Sequence, residues 1–242
     1  MFENLKSLKD MSHLKRLLAP SFWRVPKKEK KWVVTPHPGP HPKLQSIPLS
    51  IILTHTIKIA DTTEEAKKII RKGEVFIDGK RRKDYAYPAG LFDVISIPKI
   101  KKTYRIVPAG KGLNLLEISE NEANLKVCKI TDKSILKGGK TQLNLHDGKN
   151  ILVDNGNYKT GDSLLLELPS LKITEHLPLE NGTIGIIARG ADAGKLGKVK
   201  ELVKGNMREP QKIVCEINKE DRIVSKNNFV VVGKEKPVIK TS

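Results

Sequence analysis

Six of the chain's fourteen prolines stand within its first 43 residues, at Pro20, Pro26, Pro36, Pro38, Pro40 and Pro42. Each lacks a backbone donor and pushes the residue before it toward an extended conformation. The stretch WVVTPHPGPH from Trp32 to His41 therefore cannot run as a continuous helix. Residues 1–43 read as an extension without a core of its own, expected to be disordered until it docks. Ten basic residues there face three acidic ones, a net +7. Lys15, Arg16, Arg24, Lys27, Lys28, Lys30 and Lys31 are interleaved with Phe22 and Trp23. Cations bridge phosphates and aromatic rings stack on unpaired bases. With Trp23, His37 and His41, these cations are candidate RNA contacts.

The whole chain of 242 residues carries a formal net charge of +18. Self-repulsion of that size works against compaction, so it makes sense against a polyanion. Residues 44–105 hold +6, residues 106–172 only +1 and residues 173–242 +4. A nearly neutral middle between basic flanks suggests RNA contacts at front and back with a packing module between. No apolar run approaches the roughly 20 residues that span a bilayer. No long basic amphipathic helix offers a membrane face either. The N-terminus lacks the pattern of a signal peptide, so a cytosolic partner is expected. Cys128 and Cys215 stand far apart and outside any C-x-x-C spacing. They are expected to be buried thiols, without disulfide or zinc.

Residues 44–105 carry the clearest local signals. Ile47 to Ile59 is apolar and suits a short buried helix. Asp61-Thr62-Thr63-Glu64-Glu65 starts a second one, with Thr62 as cap and Glu65 reaching back. Ala66, Ile69 and Ile70 give it an apolar face, Lys67, Lys68, Arg71 and Lys72 a basic one, and Gly73 ends it. Val75-Phe76-Ile77 reads as a strand, Asp78-Gly79 as a tight turn and DVISI from Asp93 to Ile97 as a later strand. This arrangement resembles the small RNA-binding domain first described in a bacterial small-subunit ribosomal protein. The resemblance implies phosphate contacts at Lys67, Lys68, Arg71, Lys72, Lys80, Arg81, Arg82 and Lys83.

Residues 106–174 hold short strand-like pieces, Leu125 to Ile130 and Ser163 to Leu168 among them. Turns at Gly138-Gly139, His146-Asp147-Gly148 and Asn155-Gly156 separate these pieces, which suggests an all-β module. His146 beside Asp147 looks like half a catalytic pair, but no nucleophile accompanies it and Gly148 makes it a turn. Within residues 175–242, GTIGIIARGADAGKLGKV from Gly182 to Val199 alternates as a strand, turns through Gly190, Gly194 and Gly197, and re-enters a strand. A phosphate-cradling loop needs G-x-x-x-x-G-K-[ST]. Here Gly190 and Gly194 are one residue too close and Leu196 replaces the hydroxyl. The segment instead resembles a KOW motif, a small β-barrel element, which implies contacts at Arg189, Lys195, Lys198 and Lys200.

In order, HLKRLLAP, Trp32, PGPH, VFIDGK, YPAGLFDVISI and GADAGKLGKV resemble the family of the fourth small-subunit ribosomal protein of the archaeal and eukaryotic type. The likeness covers Ser12 to about Gly233. It implies a mixed, mainly β architecture in four parts: a basic extension (1–43), a small α+β RNA-binding domain (44–105), a central β domain (106–174) and a KOW or SH3-like barrel with the C-terminal segment (175–242). The implied role is structural, binding small-subunit ribosomal RNA beside neighbouring small-subunit proteins, in the cytoplasm, without catalysis, metal or cofactor. A transient KOW-type translation or transcription factor, or an RNA-modifying enzyme, is the alternative. MFENLKSLKD is an addition to the family pattern, which makes Met11 an alternative start. The end soon after Val232-Gly233, without a longer tail, favours an archaeal source.

Overall fold

The computed structural model describes residues 13–110, 112–137, 139–154, 156–206 and 210–241. Met11 and the first ten residues lie outside these, as do Gly138 and Asn155 of two expected turns.

The extension is folded onto its neighbour, which corrects the expectation of disorder. Strands β1 (Leu14–Lys15) and β2 (Trp32–Val33) pair antiparallel. They close a loop whose Trp23 is fully buried and donates from Nε1 to the Ser46 carbonyl at 2.8 Å. Leu14 and Trp23 share one core with Leu49, Ile52, Ala66 and Ile70. Prolines prevented a helix there but not docking, because burial of a large indole stabilises an extended segment too.

The apolar run from Ile47 to Ile59 does not form one regular helix. Strand β3 (Ile47–Pro48) comes first, then helix α1 (Leu49–Ile51), then a wider π-helical turn over Ile52–Thr56. Pro48 fixes where the helix starts, and Thr54 Oγ1 bonds back to the Ser50 carbonyl at 2.9 Å. Such back-bonding competes with the helical ladder. Helix α2 (Thr63–Arg71) forms as the sequence implied. Strands β4 (Phe76–Ile77), β5 (Lys80–Arg81), β6 (Pro88–Ala89), β7 (Val94–Ile97), β8 (Lys102–Ala109) and β9 (Gly112–Ile118) follow. β6 pairs with β3, while the others form a five-stranded sheet in the order β5-β4-β7-β8-β9. The division expected after residue 105 falls inside β8, so this sheet runs on to Ile118.

A short helix α3 (Glu120–Ala123) leads into β10 (Leu125–Ile135), β11 (Thr141–Leu145), β12 (Asn150–Val153), β13 (Ser163–Glu167) and β14 (Lys172–Leu177). Their antiparallel order is β12-β11-β10-β13-β14, with the pairing of β10 and β11 shifted between Ile130 and Asp132. The long β10 thus pairs with β13 along its first half and with β11 along its second, where a bulge follows Ile130. The division expected after residue 174 falls inside β14. Last come β15 (Ile184–Ile187), β16 (Leu196–Val203), β17 (Lys212–Ile217), β18 (Glu220–Ser225) and β19 (Phe229–Gly233), in the order β18-β17-β16-β15-β19. One cluster joins Phe92, Val127, Leu165, Ile186 and Val230, so three units share apolar surface. Cys128 and Cys215 are both free and buried. Among the described residues no helix is long and apolar enough to cross a membrane.

Candidate nucleic-acid interface

Helix α2 begins where Thr62 Oγ1 accepts from the Glu65 amide at 3.2 Å and Glu65 accepts from the Asp61 amide at 3.0 Å. The reciprocal cap orients the helix so that Ala66 and Ile70 are buried and Lys68, Arg71 and Lys72 are exposed. Lys67 lies apart from these three, paired to Glu64 at 2.7 Å and 4.9 Å from the Tyr85 ring. Gly73 closes the helix at φ +76°, with the Arg81 side chain stacked where a β-carbon would be. At the hairpin, Asp78 and Gly79 both take positive φ, 51° and 72°. Two successive positive values make the kind of turn that matches strand twist.

The four cations of this hairpin are not equivalent. Lys80, Arg81 and Lys83 are exposed, with Arg81 over the Phe76 ring at 5.6 Å. Arg82 is half-buried with its guanidinium 4.5 Å from the Tyr87 ring. That stacking holds Arg82 against the fold. Beside it, burial, reinforced by Asp93, pushes the Tyr87 hydroxyl up to about 12.

A second basic surface lies between the extension and the helices. It is a groove of about 1130 Å³, lined among others by His13, Lys30, Trp32, His37, His55 and Tyr85. No aspartate or glutamate lines it among the described residues. Lys31 lies 5.1 Å from the Trp32 ring, which is 46% exposed and so offers a face to a base. His37 sits at the other end, 2.9 Å from Asp84. Lys15, Lys27, Lys28 and Lys30 are exposed, Lys30 lining the groove, and so is Arg24, which bonds Asn114 at 3.2 Å.

Three candidates from the sequence point inward instead. Trp23 is fully buried, so its ring cannot stack on a base. Arg16 is 7% exposed, donating to the Pro26 carbonyl at 2.8 Å and to Glu29 at 3.0 Å. His41 is 6% exposed and meets Asp93 at 3.1 Å. All three belong to the packing that holds the extension down. The rings that line the groove are exposed Trp32 and half-buried His55 and Tyr85, and only their types, beside cations, gave a signal in the sequence.

In the C-terminal turn Lys195 is paired with Asp192 at 2.7 Å, and on β16 Lys200 is paired with Asp221 of β18 at 2.5 Å. Lys198 is exposed. Arg189 bonds the side chain of Gln45, so this turn touches the start of the helix–hairpin unit, just past the extension.

A buried ionic cluster joins the parts behind these surfaces. Lys126, fully buried on β10, donates to Asp78 at 2.6 Å, to Asp93 at 2.6 Å and lies 3.0 Å from Asp147. Lys149 reaches Asp78 at 2.7 Å and Asp147 at 3.1 Å. Burial alone would raise the Asp93 and Asp147 carboxyls; the Lys126 ammonium, with His41 beside Asp93, overrides it and holds both well below the usual range. Burial would likewise lower Lys126, yet Asp93 and Asp78 raise it well above its ordinary value. Asp78 Oδ1 also accepts the Val94 amide at 3.1 Å, so the cluster anchors the base of the basic hairpin.

His146 and Asp147 form a turn, with Gly148 at φ +73°, as the sequence implied, but the place of Asp147 in this buried cluster was not legible there. His146 Nδ1 accepts the Lys129 amide at 3.2 Å and Nε2 faces the Leu91 carbonyl at 3.2 Å. Neutral imidazole fits both contacts, and burial pulls the ring down to about 4. Cys128, His146 and Asp147 lie close enough together to have the spacing of a metal triad. Their atoms are already engaged: the thiol, raised by burial, faces Asp147 at 3.6 Å, and that carboxylate holds two ammoniums.

A mainly β chain that gathers exposed cations on a helix–hairpin and an adjoining groove, anchored by buried ion pairs, has the make-up of a polyanion-binding protein. Its residues 11–44 match the RS4NT (NUC023) domain, 47–95 the S4 domain and 100–173 the Ribosomal family S4e. It is 44% identical over 230 residues to the small ribosomal subunit protein eS4 of Archaeoglobus fulgidus, covering 94% of this chain and 97% of that one. The protein of the same name from Methanothermobacter thermautotrophicus is 42% identical over 229 residues, covering 94% of each. The crystal structure of the 30S ribosomal protein S4e from Thermoplasma acidophilum matches with a TM-score of 0.68 at 26% identity, over 78% of this chain and 96% of that one. The chain belongs to the ribosomal family S4e.

Proposed function

We infer that the protein is a structural constituent of the small ribosomal subunit, binding ribosomal RNA and supporting assembly and translation. The observation that carries this is near-full-length similarity, over 94% of the chain, to relatives named as small ribosomal subunit proteins. Its partners are then small-subunit ribosomal RNA and neighbouring subunit proteins, in the cytoplasm, with no catalytic step, metal or cofactor. Phosphates meet Lys68, Arg71, Lys72, Lys80, Arg81 and Lys83 on the helix–hairpin face. The extension groove takes unpaired RNA along Lys30, Lys31, Trp32 and His37. In support, the groove has cations and rings but, among the described residues, no lining carboxylate.

The C-terminal sheet is the KOW or SH3-like barrel of this reading. Its strand order, a four-strand meander with β19 returning beside β15, supports that assignment. Lys198 is its best-placed RNA contact, since Lys195 and Lys200 already have carboxylate partners. The working units become the extension to residue 43, the helix–hairpin unit through Ile118, the central sheet through Leu177, and the remainder.

Sedimentation of lysate on a sucrose gradient, with and without a high-salt wash, tests the role. One copy per small subunit that survives the wash is the expected result. A substoichiometric or salt-labile signal would replace it with a transient KOW-type factor.

A further inference from the structure

A second cavity, of about 650 Å³, lies where all the units converge. That volume is within the roughly 300–1,000 Å³ of small-molecule sites. Its apolar wall takes Phe22 from the extension, Leu113 from the helix–hairpin unit, Ile130 from the central sheet and Val230 from the C-terminal one. Exposed Thr131, Thr160 and Gln211 stand at its edge.

Three cations line it, Lys129, Arg189 and Lys226, and among the described residues no aspartate or glutamate does. Each is held by neutral acceptors. Lys129, only 6% exposed, donates to the Phe229 carbonyl at 2.7 Å and the Asn227 carbonyl at 3.2 Å. Lys226 donates to the Gln211 side chain at 2.9 Å, and Arg189 to that of Gln45. Carbonyl dipoles orient an ammonium without cancelling its charge. The contrast is with Lys126, which three carboxylates surround. Burial, with Lys226 and Arg189 adding to it, draws Lys129 down to about 8. An anion entering the cavity relieves that crowding.

An apolar wall beside carboxamides and a guanidinium fork suits a ligand that is flat and part apolar at one end and anionic at the other. We propose that this cavity binds one unpaired ribonucleotide of the RNA, its base against Phe22, Leu113 and Val230 and its phosphate against Arg189 and Lys226. The proposal rests on the RNA-binding role above. Single-stranded loops and bulges present such splayed bases, and an already unpaired base costs little to insert.

The test uses small subunits carrying either the wild-type full chain or an Arg189→Gln/Lys226→Gln chain, irradiated with ultraviolet light, with adducted peptides sequenced. Nucleotide adducts on peptides containing Phe22 or Ile130 are expected, falling at least about fivefold per bound copy of the chain in the double variant. Adducts confined to Lys80–Lys83 and the extension groove would overturn the cavity site and leave the RNA-binding role standing. Absence of the wild-type chain from subunits would overturn the role itself.

Titration of the free full chain with adenosine and uridine 5′-monophosphates and with inorganic phosphate gives the second arm. The monophosphates are expected to bind about tenfold more weakly to the double variant, as removal of one good charge-assisted hydrogen bond would give. Phosphate binding as tightly as either monophosphate would reduce the cavity to a simple anion site, against the proposal. Monophosphate binding without adducts in the subunit would make the ligand a free nucleotide, also against it.

Discussion

Lys80 and Lys126 lie close in the fold and have opposite surroundings. Lys80 projects from the hairpin into solvent beside Arg81 and Lys83, while Lys126 is fully buried among Asp78, Asp93 and Asp147. Asp78 belongs to both settings: it forms the hairpin turn and accepts from Lys126 behind it. Lys80 is left available to an outside partner, whereas Lys126 is neutralised by the protein's own carboxylates. The buried set therefore fixes the geometry in which the exposed set is offered.

The strongest way to break this comparison is Lys126→Ala. Removing one partner from a buried ionic cluster leaves uncompensated charge, with an expected loss of about 3–5 kcal/mol. Denaturant unfolding measures it, and a loss below about 1 kcal/mol would mean that water reaches the cluster. Lys126→Met, which keeps the volume, separates charge from packing.

Next is charge reversal of Lys80 and Lys83 to Glu. If each meets a phosphate, the slope of log affinity against log salt falls by about 0.7–0.9 for every phosphate no longer neutralised. Filter binding of small-subunit RNA across a salt series reads it directly. An unchanged slope would place that turn away from the RNA, while folding stability is expected to move by less than about 0.5 kcal/mol.

A smaller effect comes from pH. His146 is neutral in the fold at about 4 against an ordinary 6.5. Its stabilisation is present above pH 6.5 and lost as pH falls toward 4, because the unfolded chain takes up the proton first. His146→Asn is expected to flatten stability in that window, and a retained slope would assign it elsewhere. Asp93 and Asp147, held low, keep their contribution through the same range and lose it only in stronger acid.

The least change is expected of Thr62→Ala. Loss of the cap of α2 costs about 1 kcal/mol by the usual worth of such caps, visible as a lowered melting temperature. RNA affinity should stay within about threefold, since Lys68, Arg71 and Lys72 remain on a folded helix. A tenfold loss would show that the helix start itself contacts RNA.

Much of the candidate helix–hairpin face is legible in the sequence because its signals are local. The Thr62–Glu65 cap, the Asp78-Gly79 turn and the run Lys80 to Lys83 each act within a few residues. What escaped is separated along the chain: Lys126 meets Asp93 33 residues away and Asp78 48 residues away. In LKVCKI, Lys126 and Lys129 stand three residues apart and so on opposite faces of the strand, and a strand with one solvated face would expose one of them. Nothing local reveals that both faces are covered. The same blindness put Trp23, Arg16 and His41 among RNA contacts, since a basic aromatic segment looks alike whether its rings face a base or a core.

By itself the sequence determined the short strands, the capped helix, the excess of positive charge and the family likeness, because turn chemistry, periodicity and composition act over short range. Which lysines face solvent and which are neutralised inside was decided only by tertiary structure. Desolvation depends on what packs against a charge from distant parts of the chain, and that is a property of the fold.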